Sequence, residues 1–196
     1  MNRAPIAPEL VRWIVNSRPT AVLAVAADGV VNATTVAWYA PANDRPLMIA
    51  LSLHSRSFSL ELWKDRGGQA TLNLLGEQFI DQITGPGFVS GRTEDKAKLF
   101  GIRYAPSAGG GVAIADAFFS VGLSINQVVS LPRSSLLVCD VVAAEADPES
   151  HADGLLTLSD PRWKPVHHLG EHEYVSMGTV RDWSGFKAWP SPNKRG

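Results

Sequence analysis

Two β-prone runs, Thr20-Ala-Val-Leu-Ala-Val-Ala26 and Val30 to Trp38, are separated only by Ala27-Asp28-Gly29, and this spacing constrains the fold more than any other feature of the chain. Asp-Gly supplies the positive backbone angles that a tight hairpin turn requires, so the two runs should pair antiparallel. Later segments continue in the same manner. Leu47 to Leu53 reads as a third strand and Gln69 to Leu74 as a fourth, while Ala117 to Val129 and Ser134 to Glu145 read as a long antiparallel pair. Short helical patterns lie between them: Glu9 to Asn16 with Leu10, Trp13 and Ile14 on one side, Phe58 to Asp65 closed by Gly67-Gly68, Glu77 to Ile83, and Glu94 to Phe100. Many strands interrupted by short helices predict a mainly β fold, a closed antiparallel barrel with helical insertions rather than an alternating parallel sheet.

A chain of 196 residues, 45% hydrophobic, is expected to bury one core in one domain. That domain is assigned to residues 1–182, and residues 183–196, rich in aromatics, proline and polar groups, to a C-terminal arm. A formal net charge of −1 and an isoelectric point near 6.5 provide no field for gathering nucleic acid or an anionic membrane. The single cysteine, Cys139, lies in a strand-like run and reads as a small buried hydrophobe. No apolar run has the length of a signal peptide core or of a bilayer span, which predicts a soluble, cytoplasmic protein.

Three segments carry polar chemistry. In Asn32-Ala-Thr-Thr-Val-Ala-Trp38, strand alternation sends Asn32, Thr34, Val36 and Trp38 to one face and Ala33, Thr35 and Ala37 to the other, a face narrow enough for a flat ring or simply for a tight barrel interior. His54-Ser55-Arg56-Ser57 follows a strand and opens a helix at Phe58, where free amide groups and a cation would suit a phosphate; the alternative is a solvated helix start capped by Ser57. Ser90-Gly-Arg-Thr-Glu-Asp-Lys96 also precedes a helix, with Arg92 and Lys96 one turn apart and Gly91 permitting close backbone approach. A thin slot of small hydroxyl residues beside an anion cradle is what a flavin requires, since the isoalloxazine takes the slot and the ribityl phosphate takes the cradle. His167, His168 and His172, with Glu171 and Glu173, are poor metal ligands, because Gly170 interrupts the helix that would bring His168 and His172 together. Neither a Gly-x-Ser-x-Gly elbow nor a Gly-x-Gly-x-x-Gly fingerprint is present. No side chain is singled out as a catalytic acid, base or nucleophile.

These segments, in order, resemble the flavin reductase-like family, in its flavoredoxin branch of FMN-binding split barrels. The matching residues are Asn32-x-x-Thr35-Val-Ala-Trp38, Pro46-Leu-Met-Ile-Ala-Leu-Ser52, Ser55-Arg-Ser57, Ala70-Thr-Leu-Asn73, Gly87-x-x-Ser90-Gly-Arg-x-x-Asp95-Lys96, Pro165-Val-His-His-Leu-Gly170 and Tyr174-Val-Ser-Met-Gly178. The resemblance implies a six-stranded antiparallel split barrel, a homodimer, and one FMN per subunit near the interface. It implies that Thr35 to Trp38 line the ring, that Ser52 and Ser55 to Ser57 hold ribityl and phosphate beside Asn73, and that Ser90, Arg92 and Lys96 lie near the phosphate end or the mouth. It also implies an oxidoreductase that takes hydride from NAD(P)H and passes electrons to free flavin, oxygen, a partner oxygenase or another acceptor protein. One departure stands out. Many relatives carry Gly-Asp-His, whose His seats the nicotinamide, before the strand that begins here at Ser134, and this chain has Leu131-Pro132-Arg133. The alternatives are a non-enzymatic FMN-binding electron carrier and a split-barrel protein for another planar ligand such as haem or a deazaflavin.

Overall fold

Asp28 and Gly29 both adopt left-handed backbone, with φ of 52° and 75°, and the hairpin they close sets the first register of the sheet. The computed structural model describes residues 1–152 and 155–178, so the arm assigned to 183–196 and the domain boundary at 182 lie outside the described residues. Along the chain come β1 (Ala4–Pro5), α1 (Pro8–Asn16), β2 (Ala21–Ala27), β3 (Val30–Val36), β4 (Tyr39–Asp44) and β5 (Leu47–His54). There follow α2 (Phe58–Leu60), which runs into a wider helical turn at Glu61–Asp65, β6 (Gln69–Leu74), α3 (Ile80–Thr84) and α4 (Lys96–Phe100). The chain continues with β7 (Tyr104–Pro106), β8 (Val112–Ile114), the long pair β9 (Phe119–Ser130) and β10 (Ser134–Ala146), β11 (His151–Ala152), β12 (Leu155–Leu156), β13 (Val166–Gly170) and β14 (Glu173–Ser176).

The fold is mainly β with short helices, as expected, but the barrel needs correcting. One eight-stranded antiparallel sheet runs β3-β2-β6-β9-β10-β5-β4, with β1 added on β10, and no ladder joins its edge strands β3 and β4 among the described residues. The sheet is therefore open rather than closed, and its strand count is eight rather than six. The physical reason lies at Ala37-Trp38. Val30 to Trp38 reads as one run, but the chain leaves β3 after Val36 and starts the opposite edge strand at Tyr39. Two linking residues keep those edges within about 11 Å at that point, so the sheet curls without pairing across the seam. Pro41 in β4 is tolerated because the strand is an edge. Tyr39 and Trp38 pin the seam: the Tyr39 hydroxyl donates to the Pro19 carbonyl at 2.6 Å, and the Ser52 amide donates to the Trp38 carbonyl at 2.9 Å.

Burial falls on both sides of β2. Ala21, Leu23 and Val25 join the main core inside the curl, with Ile49, Leu51, Leu72, Phe119, Val121 and Leu137. Val22 and Ala24 join a second cluster outside it, with Ala33, Ile83, Ile102, Ile114 and Val166. That outer layer holds the segments after β6 and the β13–β14 hairpin against the sheet. Helix α1 buries Val11, Ile14 and Val15, whereas Trp13 is 46% exposed, so the buried stripe is the one adjacent to that read from the sequence. The Arg12 guanidinium sits 4.6 Å over the Trp13 ring and pairs with Asp44, which keeps the indole at the surface. Cys139 is fully buried and its thiol is pushed up to about 12 by burial first and by Asp140 second. No helix among the described residues is long and apolar enough to cross a membrane.

Candidate functional site

Strand β3 reaches the site from both of its faces. Asn32 is buried and its amide nitrogen donates to the Ser59 hydroxyl at 2.7 Å, tying the strand to the start of α2. On the opposite face the Thr35 hydroxyl donates to the carbonyls of Ile83 (2.7 Å) and, more weakly, Thr84 (3.1 Å). These bonds hold the Gly85-Pro-Gly87 segment across the sheet, where a Cβ on Gly87 would lie 3.1 Å from Thr35 Cβ. The Ala33, Thr35 and Ala37 face is thus covered at Ala33, which packs with Ile83, and opens only at Thr35 and Ala37.

A polar recess of about 270 Å³ forms between β3, the β5–α2 turn and the loop from Pro86 to Gly91. Asn32, Thr34, His54, Arg56, Ser57, Phe58, Ser90 and Lys96 all line it, and no acidic side chain does. Gly91 makes the close packing possible, because a Cβ there would fall 2.0 Å from Asn32 Oδ1 and 3.1 Å from the Phe58 ring. The cations divide into spent and available. Arg92 pairs with Glu61 and sits 4.9 Å over the Phe58 ring, and Arg92 and Arg66 together hold the Glu61 carboxyl below its usual range. Arg56 makes no ion pair among the described residues. Lys96 is buried, and Nζ donates to the Ala33 (2.9 Å) and Pro86 (2.7 Å) carbonyls, leaving one donor uncommitted. Burial without a carboxylate partner lowers its pKa to about 8.

A second recess, about 330 Å³, shares Gly87 and Phe88 with the first and is lined by Thr35, Val36, Ala37, Trp38, Ser52, Thr84, His168, Glu171 and Tyr174. Its walls are thin strand residues on one side and aromatic rings on the other. His168 faces Tyr174 with centroids 5.0 Å apart, and its ring nitrogen lies 3.2 Å from the Glu171 carbonyl. His172 instead packs on Phe88, also at 5.0 Å, so these two histidines belong to different contacts. The hairpin carrying His168 is clamped to the start of β2: the Thr20 amide donates to Val166, and the Thr20 hydroxyl accepts from the His168 amide at 2.9 Å. Trp38 is 74% exposed at the rim.

The structure therefore brings Asn32, Thr34, His54, Arg56, Ser57, Phe58, Ser90 and Lys96 to one recess, and Thr35 to Trp38 and Ser52 to the adjoining one. Three expected residues stand apart. Asn73 lies in neither recess; it is fully buried, donates to the Val22 and Thr71 carbonyls, and accepts from the Ile114 amide and the Ser120 hydroxyl. A central position in β6, between β2 and β9, makes it a crosslink of the sheet rather than a lining group. Ser55 is also outside, its amide donating to the Arg133 carbonyl at 3.0 Å, which sets the Leu131-Pro132-Arg133 turn directly beside the cradle. Arg92 is drawn away by Glu61. Phe88 and Thr84 are not singled out by sequence reading, although they flank Gly85-Pro-Gly87, whose composition suits a chain that bends closely.

The model of the flavin reductase like domain family matches residues 15–162. No curated protein matches the chain by sequence. Among solved structures, an FMN-binding domain of a flavin reductases-like enzyme from Shewanella baltica superposes with a TM-score of 0.81 at 16% identity, covering 92% of this chain and 97% of that one. Flavoredoxin from Methanosarcina acetivorans gives 0.73 at 17% identity, covering 87% and 90%. The 2-nitrobenzoate 2-nitroreductase of Pseudomonas fluorescens gives 0.71 at 19%, covering 94% and 92%. At these identities the solved structures establish the fold, whereas the family match spans most of the chain, including every residue that lines the polar recess, and on that ground the chain belongs to the flavin reductase-like domain family.

Proposed function

We propose that the two joined recesses hold FMN and that the protein is an FMN-dependent oxidoreductase of the flavin reductase or flavoredoxin type, fed by NAD(P)H. The observation that carries this reading is a recess with available cations and no carboxylate in its lining, sharing Gly87 and Phe88 with a second recess walled by strand residues and aromatic rings. Arg56, Ser57, Ser90 and Lys96 would hold the phosphate, with Thr34 and Ser52 toward the ribityl chain and Thr35 to Trp38 against the ring. Bound FMN supplies two-electron uptake from NAD(P)H and release of electrons to free flavin, oxygen or a partner oxygenase. The chain's own part is binding, orientation and exclusion of water. Thr35 spends its hydroxyl on Ile83 and Thr84, so it positions backbone rather than donating to a ligand. Trp38 and Phe88, exposed at 74% and 57%, line the second recess, and a second copy of the chain in a homodimer would cover them.

An absorption spectrum tests the reading directly. The purified protein is expected to show a flavin band, to release FMN rather than FAD by mass spectrometry, and to bleach on anaerobic addition of NADH or NADPH. A colourless protein that takes up no added FMN overturns it. The alternative, an electron carrier without NAD(P)H activity, is favoured by Leu131-Pro132-Arg133 at the turn beside the cradle. Bleaching by dithionite but by neither nicotinamide nucleotide would select that alternative.

Lys96 makes the binding pH-dependent. In the free protein the ammonium is already losing its proton near pH 8. A phosphate dianion beside Nζ favours the charged form, so the bound state holds the proton to higher pH. Binding is thus at full strength below about pH 8 and weakens above it, with proton uptake on binding in that range. Fluorescence titrations at pH 7.5 and 9.5 are expected to differ by roughly three- to tenfold in affinity, and Lys96→Arg, charged at both values, to remove most of that difference.

A further inference from the structure

The recess that carries the candidate ring wall is open on its outer side. Trp38 and Phe88 are both exposed, His172 stacks on Phe88 with centroids 5.0 Å apart, and Tyr174 lies beside His168 in the same wall. These rings form one aromatic rim, the kind of contiguous apolar surface that a soluble protein ordinarily covers. Glu171 is the one carboxylate in the lining, and it pairs with no cation among the described residues.

The described chain ends close to this rim. The Met177 amide donates to the Pro165 carbonyl at 3.1 Å, and Gly178, four residues beyond Tyr174, is exposed with open space where a Cβ would stand. The sequence continues Thr179-Val-Arg-Asp-Trp-Ser-Gly-Phe-Lys-Ala-Trp189, with Trp183 five residues after Gly178 and Phe186 eight. An extended chain advances about 3.3 Å per residue, so one that reverses at Gly178 regains the level of Tyr174 after about four residues and carries Trp183 and Phe186 across the rim. Arg181 and Lys187 flank the two rings and bring positive charge to a recess whose carboxylate is unmatched.

We propose that the C-terminal segment of the same chain docks on this rim, Trp183 and Phe186 packing against Trp38, Phe88 and His172 with Arg181 and Lys187 drawn to Glu171, so that the segment roofs the recess and keeps water from it. Aromatic rings stacked or set edge to face supply the contact, and the ion pairs fix its direction. A second copy of the chain in a homodimer then packs on the docked segment rather than on the bare rings. The inference deepens the FMN reading by naming what closes the ring side of that site, and it rests on that reading only for the identity of the ligand enclosed.

Disulfide trapping tests the proposal, and Cys139 does not compete, because that thiol is buried and pushed up to about 12. His172→Cys with Ser184→Cys reports the segment at the rim. Gln78→Cys with Ser184→Cys reports an undocked segment, since Gln78 is exposed and adjoins Glu77, whose carboxylate accepts from the Ser176 hydroxyl two residues before Gly178. In the full chain stripped of flavin, the first pair is expected to close within one molecule about tenfold faster than the second, the gain of a held segment over one that samples freely. Replacing Trp183 and Phe186 with alanine in both pairs is expected to bring the two rates together. Equal rates in the parent pairs, a product found only at the dimer mass, or a ratio that survives the alanine replacements overturns the proposal. Uptake of added FMN by the full chain separates the two readings: a protein that takes up none fails the flavin reading, while the trapping ratio is still decided on the stripped protein.

Discussion

Replacing Arg56 with alanine is expected to weaken FMN binding by about ten- to a hundredfold, the equivalent of about 1.5–3 kcal/mol for one charge-assisted hydrogen bond. Arg56 is the exposed cation of the polar recess that no carboxylate holds among the described residues, which leaves its guanidinium for a phosphate. Arg92→Ala is expected to change affinity by less than about threefold, since that guanidinium is already held by Glu61 and lies over Phe58. Quenching of flavin fluorescence on titration into flavin-free protein measures both. Similar losses in the two variants would place the phosphate on the Arg92 side of Phe58 and overturn the assignment of the cradle.

Gly91→Val is expected to abolish retention of FMN through purification while the protein remains folded. A Cβ at Gly91 would stand 2.0 Å from Asn32 Oδ1, and Asn32 cannot swing away freely because it is buried and its amide holds Ser59. The turn from Ser90 to Arg92 must therefore shift outward, and the recess loses the wall opposite Arg56. Overpacking of this kind costs about 1–3 kcal/mol in stability, which chemical denaturation would register as a lowered midpoint with an unchanged slope. Flavin content and the denaturation midpoint, read on the same preparation, separate loss of the site from loss of the fold. A Gly91→Val protein with full flavin content would show that the loop does not bound the phosphate.

Much of the site was legible because its pieces are local. The candidate anion cradle draws His54, Arg56 and Ser57 from one four-residue segment where a strand gives way to a helix, and the candidate ring wall is four more residues at a strand end, so alternation and helix-start chemistry suffice to find them. Lys96 was legible as a residue near the recess but not as a buried ammonium bonded to Ala33 and Pro86, because those partners come from a strand 63 residues away and a loop 10 residues away. Asn73 shows the opposite error. A buried polar residue in a matching motif resembles a ligand contact, but a central strand surrounds it with polar groups that must be satisfied, and it satisfies three backbone groups and the Ser120 hydroxyl.

By itself the sequence determined the strands β2, β5, β6, β9 and β10, the Asp28-Gly29 hairpin, the mainly β class and the segments that bear polar chemistry. Each of these follows from periodicity or from a turn residue acting over a few positions. Only the tertiary structure decided that the run from Val30 to Trp38 ends its strand at Val36 and leads into the opposite edge of the sheet at Tyr39, that the curl stays open at Ala37-Trp38, and which arginine is already paired and which is available. Those outcomes depend on partners distant in sequence: Glu61 for Arg92, Pro19 for Tyr39, and Thr20 for the hairpin that carries His167 and His168. No local pattern encodes such pairings, because a side chain's charge and shape set what it can bond to, while the path of the backbone sets what lies within reach.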